Sequence, residues 1–271
     1  MPYDYADFSD NAVNEYAYLL SELKRAFLDR IREAGEGEVH DDEFGRFARY
    51  CAEGNSRCIT FNYDDFLDRA LDGTERWDPE LGYGFYCPSS KVGTPEGDAV
   101  FRYSSVRLLK LHGSVNWRPK LGYANPVPLD AITRHDEWSD GHRLFLRAGG
   151  HLEPEPVIVP PVLSKSSLVE QPVLRLVWSE AFTMLQSAHE VTFIGYSFPT
   201  TDMAAWTLFS EALIDLPRKD IHVVNLAHDE SQAEETRSAY RSALGDIPDA
   251  QFRFEGALSW IRDLPDVPVH P

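Results

Sequence analysis

The feature that most constrains this chain is a regular alternation of short apolar runs and helical patterns across residues 172–263. Pro172 opens a helical pattern with Val173, Val177, Ala181, Met184 and Ala188 on one face, and proline at a first helical position sacrifices no hydrogen bond. Val191-Thr-Phe-Ile194 then reads as a strand, and Asp202 as the cap of a helix carrying Trp206, Phe209, Leu213 and Leu216. Ile221-His-Val-Val224 is a further strand ending at Asn225, followed by a polar helix over 230–243. Gln251-Phe-Arg-Phe254 is another strand, with a short helix at 256–263. This order predicts an α/β fold: βα units on a parallel sheet with helices on both faces.

The same grammar extends upstream. Residues 10–34 predict an amphipathic helix through Ala12, Tyr16, Leu19, Leu23, Phe27 and Ile31, stopped by Gly35. A second helix is expected at about 41–52. Cys58-Ile-Thr-Phe61 reads as a strand running into the turn Asn62-Tyr63-Asp64 and a helix through Phe66, Leu67 and Leu71. Val106-Arg-Leu-Leu-Lys-Leu111 is a buried strand ending in His112-Gly113-Ser114, and Pro156-Val-Ile-Val159 is a third candidate. Residues 72–105 and 113–155 are rich in Gly, Pro and aromatics without a sustained period, so they are expected to pack together as a small irregular cap. The 271 residues thus read as a single α/β domain, 1–271, with cap insertions at about 72–105 and 113–155.

Charge and cysteine content narrow the function classes. With 26 Lys plus Arg against 44 Asp plus Glu, the formal charge is −18, so the chain as a whole lacks the basic footprint of a nucleic-acid binder. An anionic ligand has to be held by local donors. Three cysteines (Cys51, Cys58, Cys87) are too few for a disulfide scaffold and contain no C-x-x-C. The acidic start, MPYDYADFSD, is unlike a signal peptide, and no apolar run reaches the roughly 18 residues of a membrane span. A reducing, cytoplasmic setting without membrane insertion is expected.

In open parallel α/β sheets, ligands sit beyond the carboxyl ends of the strands. The residues there are Asn62-Tyr63-Asp64, His112-Gly113-Ser114, Gly195-Tyr196-Ser197 and Asn225. Each has a local alternative: Asn62 and Asp64 suit an Asx-turn and helix cap, and His112 suits a satisfied core histidine. Four polar strand ends together point to a pocket. Gly195-Tyr196-Ser197 is also reminiscent of a hydrolase nucleophile elbow, but Pro199 stands where that motif has glycine, and His228-Asp229 follow in the wrong order. There is no G-x-G-x-x-G, no G-x-x-x-x-G-K-[ST] and no H-E-x-x-H. His135 and His142, among Asp136, Glu137 and Asp140, read as a solvated acidic face rather than a metal site. No metal is expected.

Taken together, the strand ends resemble a known family. Ile59-Thr60-Phe61-Asn62-Tyr63-Asp64 resembles the T-x-N-x-D turn of sirtuin-like domains, and Leu109-Lys-Leu-His-Gly-Ser114 their K-L-H-G segment. Phe193-Ile-Gly-Tyr-Ser-Phe-Pro-Thr-Thr-Asp202 resembles their G-Y-S-[LF]-P-x-x-D segment. Pro160-Pro161, Lys165 and Trp178 are similar to the prokaryotic version, often found in antiphage defence. The likeness spans about residues 55–230 in order and spacing.

The resemblance implies a Rossmann-like domain that cleaves the nicotinamide–ribose bond of NAD+, with NAD as substrate. By position, Asn62 would orient the ribose and the attacking water, Asp64 would read the carboxamide, and His112 would be the general base. Thr60 belongs to the same cofactor-binding turn; Gly195 and Ser197 would line the phosphate–ribose channel, and Asn225 would contact the adenosine ribose. An oxocarbenium-like centre needs oriented dipoles, and an imidazole of ordinary pKa about 6.5 is a suitable base at neutral pH. The family's zinc-binding cysteine pairs are missing, so protein deacylation is not expected. Its opening strand and G-A-G-x-S loop also have no counterpart, which predicts N-terminal truncation, loss of the loop, or a protein partner or homo-oligomer that fills it. The alternative is a catalytically degenerate module of the same fold that senses NAD or ADP-ribose or binds a partner.

Overall fold

A computed structural model describes residues 41–54, 56–88, 104–119, 129, 132–134, 156–159, 171–199 and 202–266, with residues 19, 22, 23, 26–31 and 33. Pro160, Pro161, Lys165, His135, His142 and much of both irregular stretches lie outside the described residues. So does the start of the helix expected at 10–34, whose described residues between 19 and 33 are helical.

The first half runs α1 (Asp41–Glu53), β1 (Arg57–Thr60), α2 (Phe66–Asp72) and β2 (Arg107–Lys110). β1 and β2 are parallel, with Cys58 opposite Leu108 and Thr60 opposite Lys110. Two short strands, β3 (Trp117–Pro119) and β4 (Ile132–Arg134), pair antiparallel. The second half runs α3 (Pro172–Gln186), β5 (Val191–Ile194), α4 (Met203–Ala212), β6 (Ile221–Val224), α5 (Glu230–Leu244), β7 (Phe252–Arg253) and α6 (Ala257–Arg262). Here β5, β6 and β7 form a parallel ladder in that order. The fold is mixed α/β with parallel sheets of few strands.

Local chemistry explains the helices. In α3, Val173, Val177, Ala181 and Leu185 recur every fourth residue and are buried, and Pro172 stands at its start. Asp202 caps α4, its Oδ1 accepting from Ala205 N at 3.2 Å, and Asp229 caps α5 through Gln232 N at 2.9 Å. The polar α5 still buries Ala233, Tyr240, Ala243 and Leu244 on one side, and this single apolar stripe holds it to the sheet.

The single sheet expected from the alternation is divided, among the described residues, into a β1–β2 ladder and a β5–β6–β7 ladder. β1 and β5 each pair on one edge and are mostly half-buried, whereas β2 and β6 are nearly sealed. Side chains join the two ladders. Phe61, just past β1, stacks on Tyr196, just past β5, with ring centroids 5.0 Å apart, and also meets Phe209 of α4. Helix α3 spans both halves, with the Trp178 indole donating to Leu111 O at 2.8 Å beyond β2. One continuous core therefore includes Leu108, Leu109, Val177, Phe193 and Val223.

The strand expected at 156–159 is instead a single antiparallel bridge, Ile158 against Gly113. Proline at 156 supplies no N–H and prolines follow at 160–161, so only Val157, Ile158 and Val159 can donate main-chain hydrogen bonds here. The described parts of the two irregular stretches meet in an aromatic cluster: Tyr83 packs edge-on against Trp77 and Trp117, and Phe85 against Trp117. It covers β2, which is why a strand with one partner is buried. Among the described residues no helix is long and apolar enough to cross a membrane.

Candidate functional site

The turns beyond β1 and β2 are laced together by main-chain bonds. Leu111 N donates to Thr60 O, Val115 N to Tyr63 O, and Val159 N to His112 O, each at 2.9 Å. Gly113 makes this possible. Its φ is +82°, and a Cβ there would stand 2.0 Å from Val157 O, so only glycine admits the 156–159 segment this closely. The result is a fixed backbone frame around His112.

The imidazole is mostly buried and held from both sides. Tyr63 donates its hydroxyl hydrogen to Val159 O at 2.6 Å, and its oxygen lies 3.4 Å from His112 Nδ1. With that hydrogen committed, the tyrosine oxygen faces Nδ1 as an acceptor. Nε2 in turn lies 3.8 Å from Asp202 Oδ2. Phe61 packs against the same ring at 5.0 Å, and Phe27 of the N-terminal helical segment packs edge-on against Tyr63 at 4.9 Å.

Asp202 divides its two oxygens. Oδ1 caps α4 and Oδ2 faces the imidazole, from a side chain only about a tenth exposed. Its field reaches the neighbouring phenols. Burial first, and the Asp202 carboxylate second, push the Tyr63 and Tyr196 hydroxyls well above the ordinary tyrosine value. Both therefore stay protonated across the physiological range.

The other expected residues take distinct places. Thr60 Oγ1 accepts from Asn62 N at 3.0 Å, shaping the turn that presents Asn62. Asn62 is exposed, and its amide side chain makes no hydrogen bond among the described residues. Asp64 Oδ1 accepts from Phe66 N at 3.3 Å, which is the local Asx role at the start of α2. Gly195 has φ of +66° and open space where a Cβ would stand; Ser197 is exposed. Asn225 Nδ2 donates to Tyr196 O at 3.2 Å and its Oδ1 accepts from Leu226 N, so its amide holds the Gly195–Tyr196 turn in place. Tyr240 supports the same carbonyl at 2.7 Å. For a serine hydrolase, Asp229 is already spent capping α5.

All four strand-end segments thus meet in space: Phe61 and Tyr63, His112, Tyr196 with the nearby Asp202, and Asn225 through the Tyr196 carbonyl. Tyr63 and Asp202 are the partners that sequence reasoning missed. Asp202 carries a visible capping signal, but a cap accounts for one carboxylate oxygen, and the use of the other depends on a histidine far away in sequence. Among the described residues no group of three or more His, Cys, Asp or Glu side chains is arranged to hold a metal ion. Compared with known families and curated sequences, the chain matches no family model and no curated protein.

Proposed function

We propose that this chain is a sirtuin-like NAD+ glycohydrolase on a Rossmann-like domain, of the kind used in bacterial defence. The observation that carries the reading is His112 itself, held between Tyr63 and Asp202 where two adjacent parallel strands end. In this reading the His112 imidazole takes a proton from a ribose hydroxyl or the attacking water. The Asp202 carboxylate stabilises the imidazolium that forms. Asn62, exposed beside the same turn, orients the ribose and water. The nicotinamide–ribose bond breaks, water adds at the anomeric carbon, and nicotinamide, ADP-ribose and a proton leave.

A specific observation supports the second reading, a nucleotide-sensing or partner-binding module of the same fold. Asp64 and Asn225, two of the residues assigned to NAD contacts, already spend their side chains on backbone hydrogen bonds. Liquid chromatography of NAD+ incubated with the full chain separates the two. The glycohydrolase releases nicotinamide and ADP-ribose, and Asn62→Ala or His112→Ala abolishes the release. Turnover that survives both substitutions overturns the assigned roles. No turnover at any protein concentration, with NAD+ or ADP-ribose raising the melting temperature, establishes the binding module instead.

A further inference from the structure

Cys51 and Cys58 stand apart from the site described above. Cys51 lies in the last turn of α1 and is 2% exposed; Cys58 is the second residue of β1 and is partly exposed. Both are free thiols, and their sulfurs are 3.6 Å apart. A disulfide has its sulfurs about 2.05 Å apart, so the pair is within a side-chain movement of bonding distance. Cys87, the remaining cysteine, is sealed in the aromatic cap near Tyr83.

We propose that Cys51 and Cys58 are a peroxide-oxidised thiol pair that closes to an intramolecular disulfide. The roles follow from exposure. Cys58 is the thiol a small peroxide can reach, whereas contact with Cys58 first and burial second push the Cys51 thiol well above the ordinary range. The Cys58 thiolate attacks one peroxide oxygen and the O–O bond breaks. Sulfur loses two electrons to give a sulfenic acid, and the other oxygen leaves as water or an alcohol. Cys51 then attacks that sulfur, the S–S bond forms, and hydroxide leaves with the Cys51 proton as water. A dithiol reverses the step.

The bond would couple α1 to β1 on a consequential face. Side chains two apart on a strand share a face, so Cys58 lies on the side of Thr60, whose hydroxyl positions the Asn62 turn. Oxidation therefore fixes the helix that leads into this strand relative to the turn beyond it.

The test uses the full chain, reduced and then exposed to a few equivalents of hydrogen peroxide. The expected product is lighter by about 2 Da, the mass of two hydrogens. Its peptide map joins Cys51 to Cys58, the thiol count in denaturant falls from three to one, and dithiothreitol restores it. Cys51→Ser is expected to leave a Cys58 sulfenic acid that dimedone captures. Three results overturn the proposal: Cys58 sulfinic acid with Cys51 still alkylatable, three thiols retained, or a bond to Cys87. The wild-type mass and peptide map together decide the matter should the variant fail to fold, and none of these readouts depends on NAD+ turnover.

Discussion

Replacing Gly113 by alanine tests the frame that holds His112. Two costs follow from the geometry. The backbone at φ +82° strains an L side chain by roughly 1–2 kcal/mol. In addition, the new Cβ meets Val157 O at 2.0 Å, a main-chain atom that moves only with its segment. Displacing residues 156–159 loosens Ser114 N to Val157 O (3.0 Å), Val157 N to Trp117 O (3.0 Å) and Val159 N to His112 O (2.9 Å). At about 1 kcal/mol net for each bond, strain and lost bonds together come to about 4–5 kcal/mol. Gly195→Ala is the internal control, since its φ is +66° but nothing lies within 4 Å of its Cβ. Strain alone acts there, about 1–2 kcal/mol. Urea unfolding followed by tryptophan fluorescence reads both variants, and Trp117 sits against the displaced segment. With a slope of about 3 kcal/mol per molar, Gly113→Ala is expected to lower the midpoint by roughly 1.5 M and Gly195→Ala by about 0.5 M. Equal losses in the two variants would refute the close-approach argument.

The remaining predictions concern buried charge and alkaline stability. Lys110 and Asp68 form an ion pair at 3.0 Å beneath the cap, both nearly inaccessible, with Tyr83 donating to the same carboxylate. Lys110→Met strands that carboxylate and is expected to cost about 3–5 kcal/mol, while the double variant Lys110→Met/Asp68→Leu recovers most of the loss. A single variant within about 1 kcal/mol of wild type, or a double variant worse than the single, contradicts this. The Tyr63, Tyr83, Tyr196 and Tyr240 phenols are all raised, burial being the first cause in each. A folded pKa above the unfolded value of about 10 means the folded state keeps protons that the unfolded chain releases. The stabilisation is complete below about pH 10 and is lost as pH rises through the folded values, so the melting temperature should hold to about pH 9.5 and fall beyond. A melting temperature flat to about pH 11.5 would exclude it.

Sequence-level reading recovered the elements because their signals are local. The four-residue recurrence in α3, the aspartates that cap α4 and α5, and the β-branched runs at 191–194 and 221–224 each act within a few residues. The segment at 156–159 reads as a strand for the same reason. Its apolar run is genuine, but pairing depends on a partner, and Gly113 offers it one bridge. The Asx role of Asp64 was likewise open to sequence, since both partners lie within the turn.

By itself, then, the sequence determined the alternation, the helix caps, the acidic balance and the placement of His112 and Asn62 just beyond strands. Tertiary structure alone decided which strand ends meet. Tyr63, His112 and Asp202 come from three separated segments, and their contacts depend on how α3 and the aromatic pair Phe61–Tyr196 hold two short ladders together. A side chain's propensity is set by its neighbours in the chain. Its partner across the fold is set by packing between elements far apart in sequence, and one acidic residue can satisfy a local cap while its second oxygen serves a histidine that no spacing rule connects to it.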